Sequence, residues 1–370
     1  MAAGIAATGG KDYQQRKAQR ELEELAKRNP KDTDSLLEAT FEADAQKIYE
    51  GQQIQASVKL TPPTIPYDRE VSKLLILCSK IATQQYLTGK VNPSYDGSIR
   101  SLKAYSNKLD GYTQIASFKG QEAETVEKIE VEVPTTEQDP LERNVDAAED
   151  TLEQTVKEVV KQKKRIPVYY GFVLTSKTNN IIVFRGTQTR LEWINNLAAL
   201  QRNYIDRASG QFYGRVHAGL LDNYEAIIDP LPREIAKKLN PSIPCYVSGH
   251  SLGAAIATFA ALDLALNVPL VTRQLQLYIY ASPRLGDPTF ARFHSYLVPN
   301  SYRIINHADP INLMPPTKVI DAFVHVGQEW SFLSQNGDVM PNHVVDTYRA
   351  AIDRGVETNQ LRQYPISGSA

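Results

Sequence analysis

The chain has 370 residues, 42% of them hydrophobic, and its 41 basic and 42 acidic side chains give a formal net charge of −1. This length suits one large domain with an extension, or two domains. The balanced charge excludes a strongly basic nucleic-acid binder, and no apolar run is long enough to span a bilayer. We therefore expect no nucleic-acid partner.

The start of the chain and its cysteines bear on the compartment. Residues 1–10 lack both the basic stretch and the apolar run of a secretory signal peptide. The two cysteines, Cys78 and Cys245, exclude a disulfide framework but leave a single bridge open. The preferred interpretation is that both thiols are buried and that the protein lies in a reducing compartment. The sequence thus predicts a cytoplasmic protein, with peripheral contact to a membrane as the open alternative.

Residues 1–66 are predicted to form a helical N-terminal extension followed by a linker. Charged, helix-prone residues are frequent in the first thirty positions, as in Arg16–Leu25, and Asn29-Pro30 interrupts them. The three prolines between Lys59 and Tyr67 are typical of a linker. The main domain is accordingly expected over residues 67–370.

Two segments precede the first clear strands of this domain. Val71 to Tyr86 is predicted to be a buried or amphipathic helix. Residues 119–166 are rich in Glu and Lys, which indicates a charged insertion or a solvated helix. This segment ends in the basic run 161–165, which a helix C-terminus would favour. Contact of that run with anionic lipid is the alternative.

From Pro167 onward, apolar strands alternate with helices. Strands are expected over residues 168–175, 181–184, 244–248, 275–281, 302–306 and 319–326. Helices are expected over about 220–239, 252–266, 287–297 and 343–353. The first two strands form a hairpin, and the later alternation predicts an α/β fold with a mostly parallel central sheet flanked by helices.

The pentapeptide Gly249-His250-Ser251-Leu252-Gly253 has the pattern of a nucleophile elbow. Such a turn pushes a serine hydroxyl out between a strand and a helix. Small residues are needed two places before and after the serine, because a Cβ there would collide with neighbouring backbone. A short apolar strand precedes the pentapeptide and an alanine-rich helix follows it, so Ser251 is the candidate nucleophile.

A serine needs a base, usually a histidine that a carboxylate orients. When the chain order is serine, acid, histidine, His343 is the remaining candidate among the six histidines. Asp309 directly follows a predicted strand and is the first choice of acid. Asp287 is the second choice, although it would also serve as a helix cap. Asp321 lies within a predicted strand and fits least well.

An oxyanion formed during acyl transfer needs preorganised N–H donors. The backbone N–H after the nucleophile, that of Leu252, is one candidate. The second usually comes from a loop after an earlier strand, and Thr187 follows such a strand. Residues 189–197 then form a short amphipathic segment, which is either a packed surface helix or a lid over the site. Its apolar members are Leu191, Trp193, Ile194 and Leu197.

Together these motifs resemble the class 3 lipases, the fungal-type lipase family of the α/β-hydrolases. The resemblance covers about residues 168–348. The motifs are Val183–Thr187, Trp193–Leu197, Val216–Leu220, Gly249–Ala254, Tyr280–Asp287, Arg303–Pro310, and His343 shortly before Tyr348. The cysteine-rich framework of the secreted fungal members is missing.

The resemblance implies an α/β-hydrolase fold with a catalytic triad of Ser251, Asp309 and His343. It also implies an oxyanion hole at Thr187 and Leu252, and hydrolysis of carboxylic esters, often acylglycerols. No cofactor or metal is implied. The implied partner is a lipid or other ester, and contact with a lipid interface is open.

Three other functions stay open at this point. The first is a non-lipase carboxylesterase of the feruloyl type, and the second is a phospholipase or galactolipase of the same family. The third, from a different class, is a non-catalytic lipid-binding scaffold. Such a scaffold usually lacks a triad member, whereas all three positions are filled here, and function must be argued from the site rather than the fold.

Overall fold

The computed structural model describes residues 51–129, 159–186, 200–315, 322–335 and 339–355. Its centre is an eight-stranded sheet with the strand order β10-β9-β8-β7-β3-β2-β1-β6. The strands are β1 (Thr113–Ile129), β2 (Val159–Thr175), β3 (Asn180–Phe184), β4 (Gln201–Ile205), β5 (Phe212–His217), β6 (Ile227–Asp229), β7 (Cys245–His250), β8 (Leu275–Tyr280), β9 (Ser301–Asn306) and β10 (Gln328–Phe332). Strands β4 and β5 pair as a separate hairpin.

Eight α-helices are defined in the described residues, in addition to a helical stretch over residues 51–57. They are α1 (Arg69–Val91), α2 (Ala218–Glu225), α3 (Pro232–Ala236), α4 (Leu252–Asn267), α5 (Pro269–Thr272), α6 (Pro288–Leu297), α7 (Val339–His343) and α8 (Val345–Arg354). A single turn of 3-10 helix, Pro310–Leu313, follows β9.

The middle of the sheet is parallel and covered on both faces. β10, β9, β8, β7 and β3 run parallel, and β2 pairs with β3 in the antiparallel sense. Side chains along a strand point alternately to opposite faces. Ile182 and Phe184 accordingly join the core cluster that contains α4, while Ile181 and Val183 join the cluster that contains α1. The prediction of a mostly parallel sheet flanked by helices is confirmed.

The charged segment 119–166 differs from the helix that its composition favoured. Its two ends belong to the antiparallel pair β1 and β2, in which Gly120 lies opposite Val168 and Ile129 opposite Val159. Phe118 of β1 is completely buried and stacks on Phe184, with the ring centroids 5.2 Å apart. The helix interpretation is therefore wrong for both ends, and residues 130–158 lie outside the described residues.

Two other predicted elements also differ. The helix expected over 220–239 is divided into α2, the short strand β6 and α3, because Pro230 and Pro232 cannot continue a helix. The last strand of the sheet is Gln328–Phe332 rather than 319–326. In that earlier segment Val324 makes only an isolated bridge to Gly286, and residues 316–321 are outside the described part of the chain.

The end of the predicted linker is attached to the main domain. The side-chain oxygen of Asn300 accepts hydrogen bonds from the backbone N–H groups of Thr64 and Ile65, at 2.9 and 3.0 Å. The ring of Tyr67 stacks on that of Trp330, with centroids 4.3 Å apart. Residues 64–67 are thus part of the domain edge. The predicted extension over residues 1–50 lies outside the described residues.

Both cysteines are free and buried, so the single bridge that the sequence left open is not formed. Burial raises the pKa of each thiol, Cys78 and Cys245, to about 12, so both are protonated at neutral pH. Within the described ranges, none of the helices combines the length and apolar character that a bilayer crossing requires.

The buried His294 of α6 gives the fold a pH dependence. Burial lowers its pKa from 6.5 to about 4. Below pH 6.5 the unfolded chain therefore takes up a proton that the native chain does not, so stability falls as the pH is lowered. We expect this histidine to contribute a loss of roughly 2 kcal/mol between pH 7.5 and 5. Urea unfolding of the wild type and His294→Phe measures it, and equal losses in the two proteins would contradict the assignment.

Candidate active site

Ser251 lies between the end of β7 and the start of α4, in a strained backbone conformation with φ 59° and ψ −122°. The flanking glycines make this turn sterically feasible. A Cβ on Gly249 would lie 2.1 Å from the carbonyl oxygen of Gly253, and one on Gly253 would lie 2.5 Å from that of Phe184. Neither contact is tolerable, because both involve backbone atoms. The turn therefore has the strand, elbow and helix geometry that the pentapeptide predicts.

The structure joins Ser251, His343 and Asp309 in one chain of hydrogen bonds. Nε2 of His343 lies 2.8 Å from Oγ of Ser251. Nδ1 of the same ring lies 2.8 Å from Oδ2 of Asp309. All three residues are buried, at 3%, 7% and 1% exposure, so water competes little for these bonds. This arrangement lets the histidine accept a proton on one side while the carboxylate holds the other.

Local structure presents Asp309 at the carboxyl end of the sheet. It follows β9 and caps the 3-10 turn, where its Oδ1 accepts the N–H of Ile311 at 3.0 Å. Asn306, the last residue of β9, donates from Nδ2 to the carbonyl oxygens of Ser334 and Asn342, at 2.8 and 3.1 Å. This amide therefore ties the segment that carries His343 to the end of β9, which Asp309 follows.

Tyr348 is a fourth member of the network that the sequence did not indicate as functional. Its hydroxyl donates to Oδ2 of Asp309 at 2.7 Å and accepts the N–H of Asn306 at 3.1 Å. Burial, and then the charge of Asp309, raise the pKa of Tyr348 well above its usual value. The phenol therefore remains a donor to the carboxylate. The sequence feature that could have indicated this role is the position of Tyr348, five residues after His343 and one helical turn into α8.

The remaining candidates fall into two groups. Asp287 stands apart from the network and caps α6, where its Oδ1 accepts the N–H of Phe290 at 2.7 Å. Leu252 is the first residue of α4, so its N–H is one of the first-turn N–H groups that have no acceptor within the helix. Five predicted site residues, together with Asp321, lie outside the described part of the chain. They are Thr187, Leu191, Trp193, Ile194 and Leu197.

The loop after β3 reaches the elbow. A Cβ on Gly186 would lie 3.0 Å from the carbonyl oxygen of His250 and 3.7 Å from Cβ of Ser251. The peptide that follows Phe184 and Arg185 therefore borders the nucleophile. Among the described residues, no group of three or more His, Cys, Asp or Glu side chains could hold a metal ion.

The parallel sheet, the elbow at its carboxyl edge and the Ser–His–Asp network define an α/β-hydrolase fold. Residues 181–319 match the family model described as Lipase (class 3). The matched segment is thus similar to the class 3 lipase family, and it contains β7, the elbow, Asp309 and all but the first residue of β3.

Three curated relatives illustrate the similarity. A lipase of Rhizomucor miehei is 35% identical over 155 residues, which are 40% of each chain. A secreted mono- and diacylglycerol lipase 1 of Fusarium solani is 32% identical over 43% of this chain and 46% of its own. The chloroplastic phospholipase A(1) DAD1 of Arabidopsis thaliana is 32% identical over 36% of this chain and 33% of its own. The matches thus span less than half the length of each of these relatives.

A solved structure of the Rhizomucor miehei triacylglyceride lipase also resembles the chain. The superposition has a TM-score of 0.48 at 21% sequence identity. It covers 73% of this chain and 82% of that one.

Proposed function

We propose that the protein is a serine hydrolase that cleaves acyl esters of lipids through an acyl-enzyme intermediate. The observation that carries this proposal is the hydrogen-bonded chain from Asp309 through His343 to Ser251. A non-catalytic scaffold would not need a serine in a strained backbone conformation. It would also not need an imidazole that faces this serine and is held by a carboxylate. The scaffold function is therefore the weaker candidate.

In the proposed reaction, Oγ of Ser251 attacks the ester carbonyl carbon while Nε2 of His343 takes the hydroxyl proton. The tetrahedral intermediate collapses as the C–O bond to the alcohol breaks, and the imidazolium returns the proton to the departing alkoxide. Water then attacks the acyl-enzyme with the same imidazole as base, releasing the acid and restoring Ser251. Asp309 accepts the Nδ1–H bond throughout and stabilises the imidazolium.

The negative charge of the intermediate needs donors beside Ser251. The N–H of Leu252 at the start of α4 is the proposed first donor, and the positive end of the helix dipole adds to it. Thr187 is the proposed second donor, since it directly follows the glycine that borders the elbow. The residues 191–197 remain the proposed lid.

Two exposed leucines support a lipid substrate. Leu313 lies four residues after Asp309 and is 44% exposed, and Leu333 directly follows β10 and is 65% exposed. Leu333 follows the carboxyl end of β10, and Leu313 ends the 3-10 turn that Asp309 caps after the neighbouring strand β9. Apolar side chains at this edge fit contact with acyl chains or a lipid interface better than contact with a small polar ester. Such contact would make the protein peripheral to membranes.

The class of lipid has two candidates. The names of the fungal relatives favour mono- and diacylglycerols. The relation to a plant phospholipase A(1) favours a phospholipid. Rates of acid release distinguish these substrates. The assay uses emulsified triacylglycerol, diacylglycerol, phospholipid and galactolipid, each of which releases fatty acid, and a feruloyl ester, which releases ferulic acid. Preference for the feruloyl ester would overturn the assignment to lipids.

Labelling by a fluorophosphonate tests the reaction itself, because the probe forms a covalent bond only with an activated serine. We expect complete labelling of the wild type, and less than about 1% of that rate in Ser251→Ala, since the activated nucleophile is gone. Ser248→Ala, in the adjacent strand β7, is the matched control and should retain labelling. An unlabelled wild type, or equal labelling of Ser251→Ala, would contradict the proposal.

A further inference from the structure

The segment 309–315, which we call the acid turn, begins with Asp309 and is held by hydrogen bonds along its backbone. The buried side chain of Asn312 donates from Nδ2 to the carbonyl oxygens of Asn306 and Asp309, at 2.8 and 3.0 Å. This amide therefore closes the path from the end of β9 into the 3-10 turn. Because Oδ2 of Asp309 must stay 2.8 Å from Nδ1 of His343, whatever fixes Asn312 also helps to fix the acid of the network.

The imidazole of His325 holds the backbone of Asn312. Its Nε2 lies 2.8 Å from the carbonyl oxygen of Asn312, and both residues are buried. A carbonyl oxygen can only accept a hydrogen bond, so Nε2 carries the proton. Burial, and then the charges of Arg303 and Arg284, lower the pKa of His325 well below its usual value. The ring is therefore neutral at neutral pH, and its single N–H is the one directed at Asn312.

Arg284 holds the residues that follow in the acid turn. Its Nη1 donates to the carbonyl oxygens of Leu313 and Pro315, the second at 3.0 Å. Its backbone N–H donates to the carbonyl oxygen of Met314 at 2.7 Å. The carbonyl oxygens of four consecutive residues, 312–315, thus accept hydrogen bonds from one imidazole and one arginine. Because a buried backbone carbonyl is costly to leave without a donor, these bonds favour a single conformation of the acid turn.

Gln55, from the helical stretch that precedes the predicted linker, fixes the backbone of His325. Its Oε1 accepts the N–H of His325 at 2.7 Å, and its Nε2 donates to the carbonyl oxygen of the same residue at 3.4 Å. The preceding residue, Val324, exchanges hydrogen bonds with residues 285–286 instead, at 3.3 and 2.8 Å. Residues 324 and 325 are therefore held between the segment of Arg284 and the N-terminal part of the chain.

We propose that His325 is a positioning residue for Asp309, the acid of the triad. Its neutral ring fixes Asn312, and Asn312 fixes the backbone of Asp309, so that the carboxylate stays at hydrogen-bonding distance from the catalytic imidazole. The proposal rests on the proposed ester hydrolysis. Gln55 and Arg284 complete the device, since one fixes the backbone of His325 and the other fixes the end of the acid turn.

This device joins parts of the chain on both sides of the segment that matches the family model. Gln55 precedes the residues 181–319 of that match, and His325 follows them. On this proposal the helical stretch over residues 51–57 supports the site, although it is remote from the triad in the sequence.

The test compares His325→Phe with His325→Gln. Phenylalanine fills the space of the ring but cannot donate to Asn312, whereas the amide of glutamine can place a donor near the position of Nε2. In His325→Phe we expect kcat for a soluble p-nitrophenyl ester to fall about tenfold, with KM within about threefold. The reason is that a displaced carboxylate affects the transition state more than the binding of the substrate. His325→Gln should recover kcat to within about threefold of the wild type.

A second readout follows the position of Asp309 without any substrate. The Nδ1 proton of His343, which bonds to Oδ2 of Asp309, gives a strongly deshielded proton resonance that is assigned by its loss in His343→Ala. In His325→Phe this resonance should move upfield, because the bond to the carboxylate lengthens, and in His325→Gln it should stay in place. General loss of stability lowers the fraction of folded molecules but does not shift their resonance.

A third variant, Gln55→Leu, acts from the N-terminal side. It keeps the size of the side chain and removes both bonds to His325, so we expect kcat to fall about threefold, with an upfield shift in the same direction. The matched control is Asn300→Ala, which removes the hydrogen bonds to Thr64 and Ile65 and so loosens the same part of the chain away from the acid turn. Asn300→Ala should leave kcat and the resonance unchanged, whatever it does to stability.

An unchanged resonance in His325→Phe or in Gln55→Leu would overturn the positioning role. Equal losses of kcat in His325→Phe and His325→Gln would overturn it as well. Absence of ester hydrolysis in the wild type would instead overturn the proposed function, and the resonance would still test the position of Asp309, so the two failures are distinguishable. Gln55→Leu and its control Asn300→Ala carry the test if His325→Phe does not fold.

Discussion

Replacing Ser251 by alanine is expected to lower kcat for a soluble p-nitrophenyl ester by about 10⁵-fold. The alanine lacks the oxygen that forms the acyl-enzyme, so His343 has no hydroxyl to activate. The residual rate reflects water attack at a site that retains its donors. Initial rates under saturating substrate measure the effect, and the burst of product in the first turnover should vanish with it.

The same substitution should leave the fold intact. Ser251 Oγ makes its described contact with His343, and the cap of α4 has no side-chain hydrogen bond from this serine. We therefore expect the urea midpoint to change little or to rise, since the hydroxyl that alanine removes contributes to catalysis rather than to the stability of the fold. A loss of activity accompanied by unfolding, or a variant within tenfold of the wild type, would contradict the assignment of the nucleophile.

The second large effect is expected for Asp309→Asn, with a fall in kcat of about 10⁴-fold at neutral pH. An asparagine amide can donate to Nδ1, which favours the tautomer that carries its proton on Nε2. That tautomer cannot accept the proton of Ser251. The amide has almost the same shape as the carboxylate, so the loss reports tautomer and charge rather than packing. Initial rates from pH 6 to 9 measure it.

Two variants define the specificity of that effect. Tyr348→Phe removes one donor to Oδ2 of Asp309 and leaves the carboxylate, so about a tenfold loss is expected, near the value of one hydrogen bond to a charged group. Asp287→Asn keeps a side-chain oxygen that can cap α6, so it should retain activity within about twofold with little change in stability. Equal losses in Asp287→Asn and Asp309→Asn would contradict the choice of Asp309 as the acid.

Segments of strong local signal were predicted well from the sequence. The elbow follows from two glycines and a serine between an apolar strand and an alanine-rich helix, because that spacing has few backbone solutions. The hairpin of β2 and β3 and the strands β7, β8 and β9 follow from short apolar runs. Apart from the start of β2, which lies at Val159 rather than at residue 168, the ends of these strands are within about one or two residues of those observed.

Segments in which composition and tertiary environment conflict were predicted poorly. Residues 119–129 and 159–166 are charged, yet they extend β1 and β2, because each strand pairs with the other over its whole length. The pairing partner of a charged strand is thirty or more residues away, so no local pattern indicates it. The segment 220–239 has helix propensity on both sides of Pro230 and Pro232, and these prolines were the signal that it divides.

The sequence by itself determined the types of the reacting residues and their order along the chain: a serine in an elbow, an acid after a strand, and a histidine beyond it. Tertiary structure alone decided which further side chains support them. Tyr348 lies 39 residues from Asp309, and Gln55 lies 270 residues from His325. Such contacts depend on which segments become neighbours, and residues 284–286 join the segment of His325 to the turn that Asp309 begins. Because neighbours in space need not be neighbours in the chain, no local pattern could have specified these two pairs.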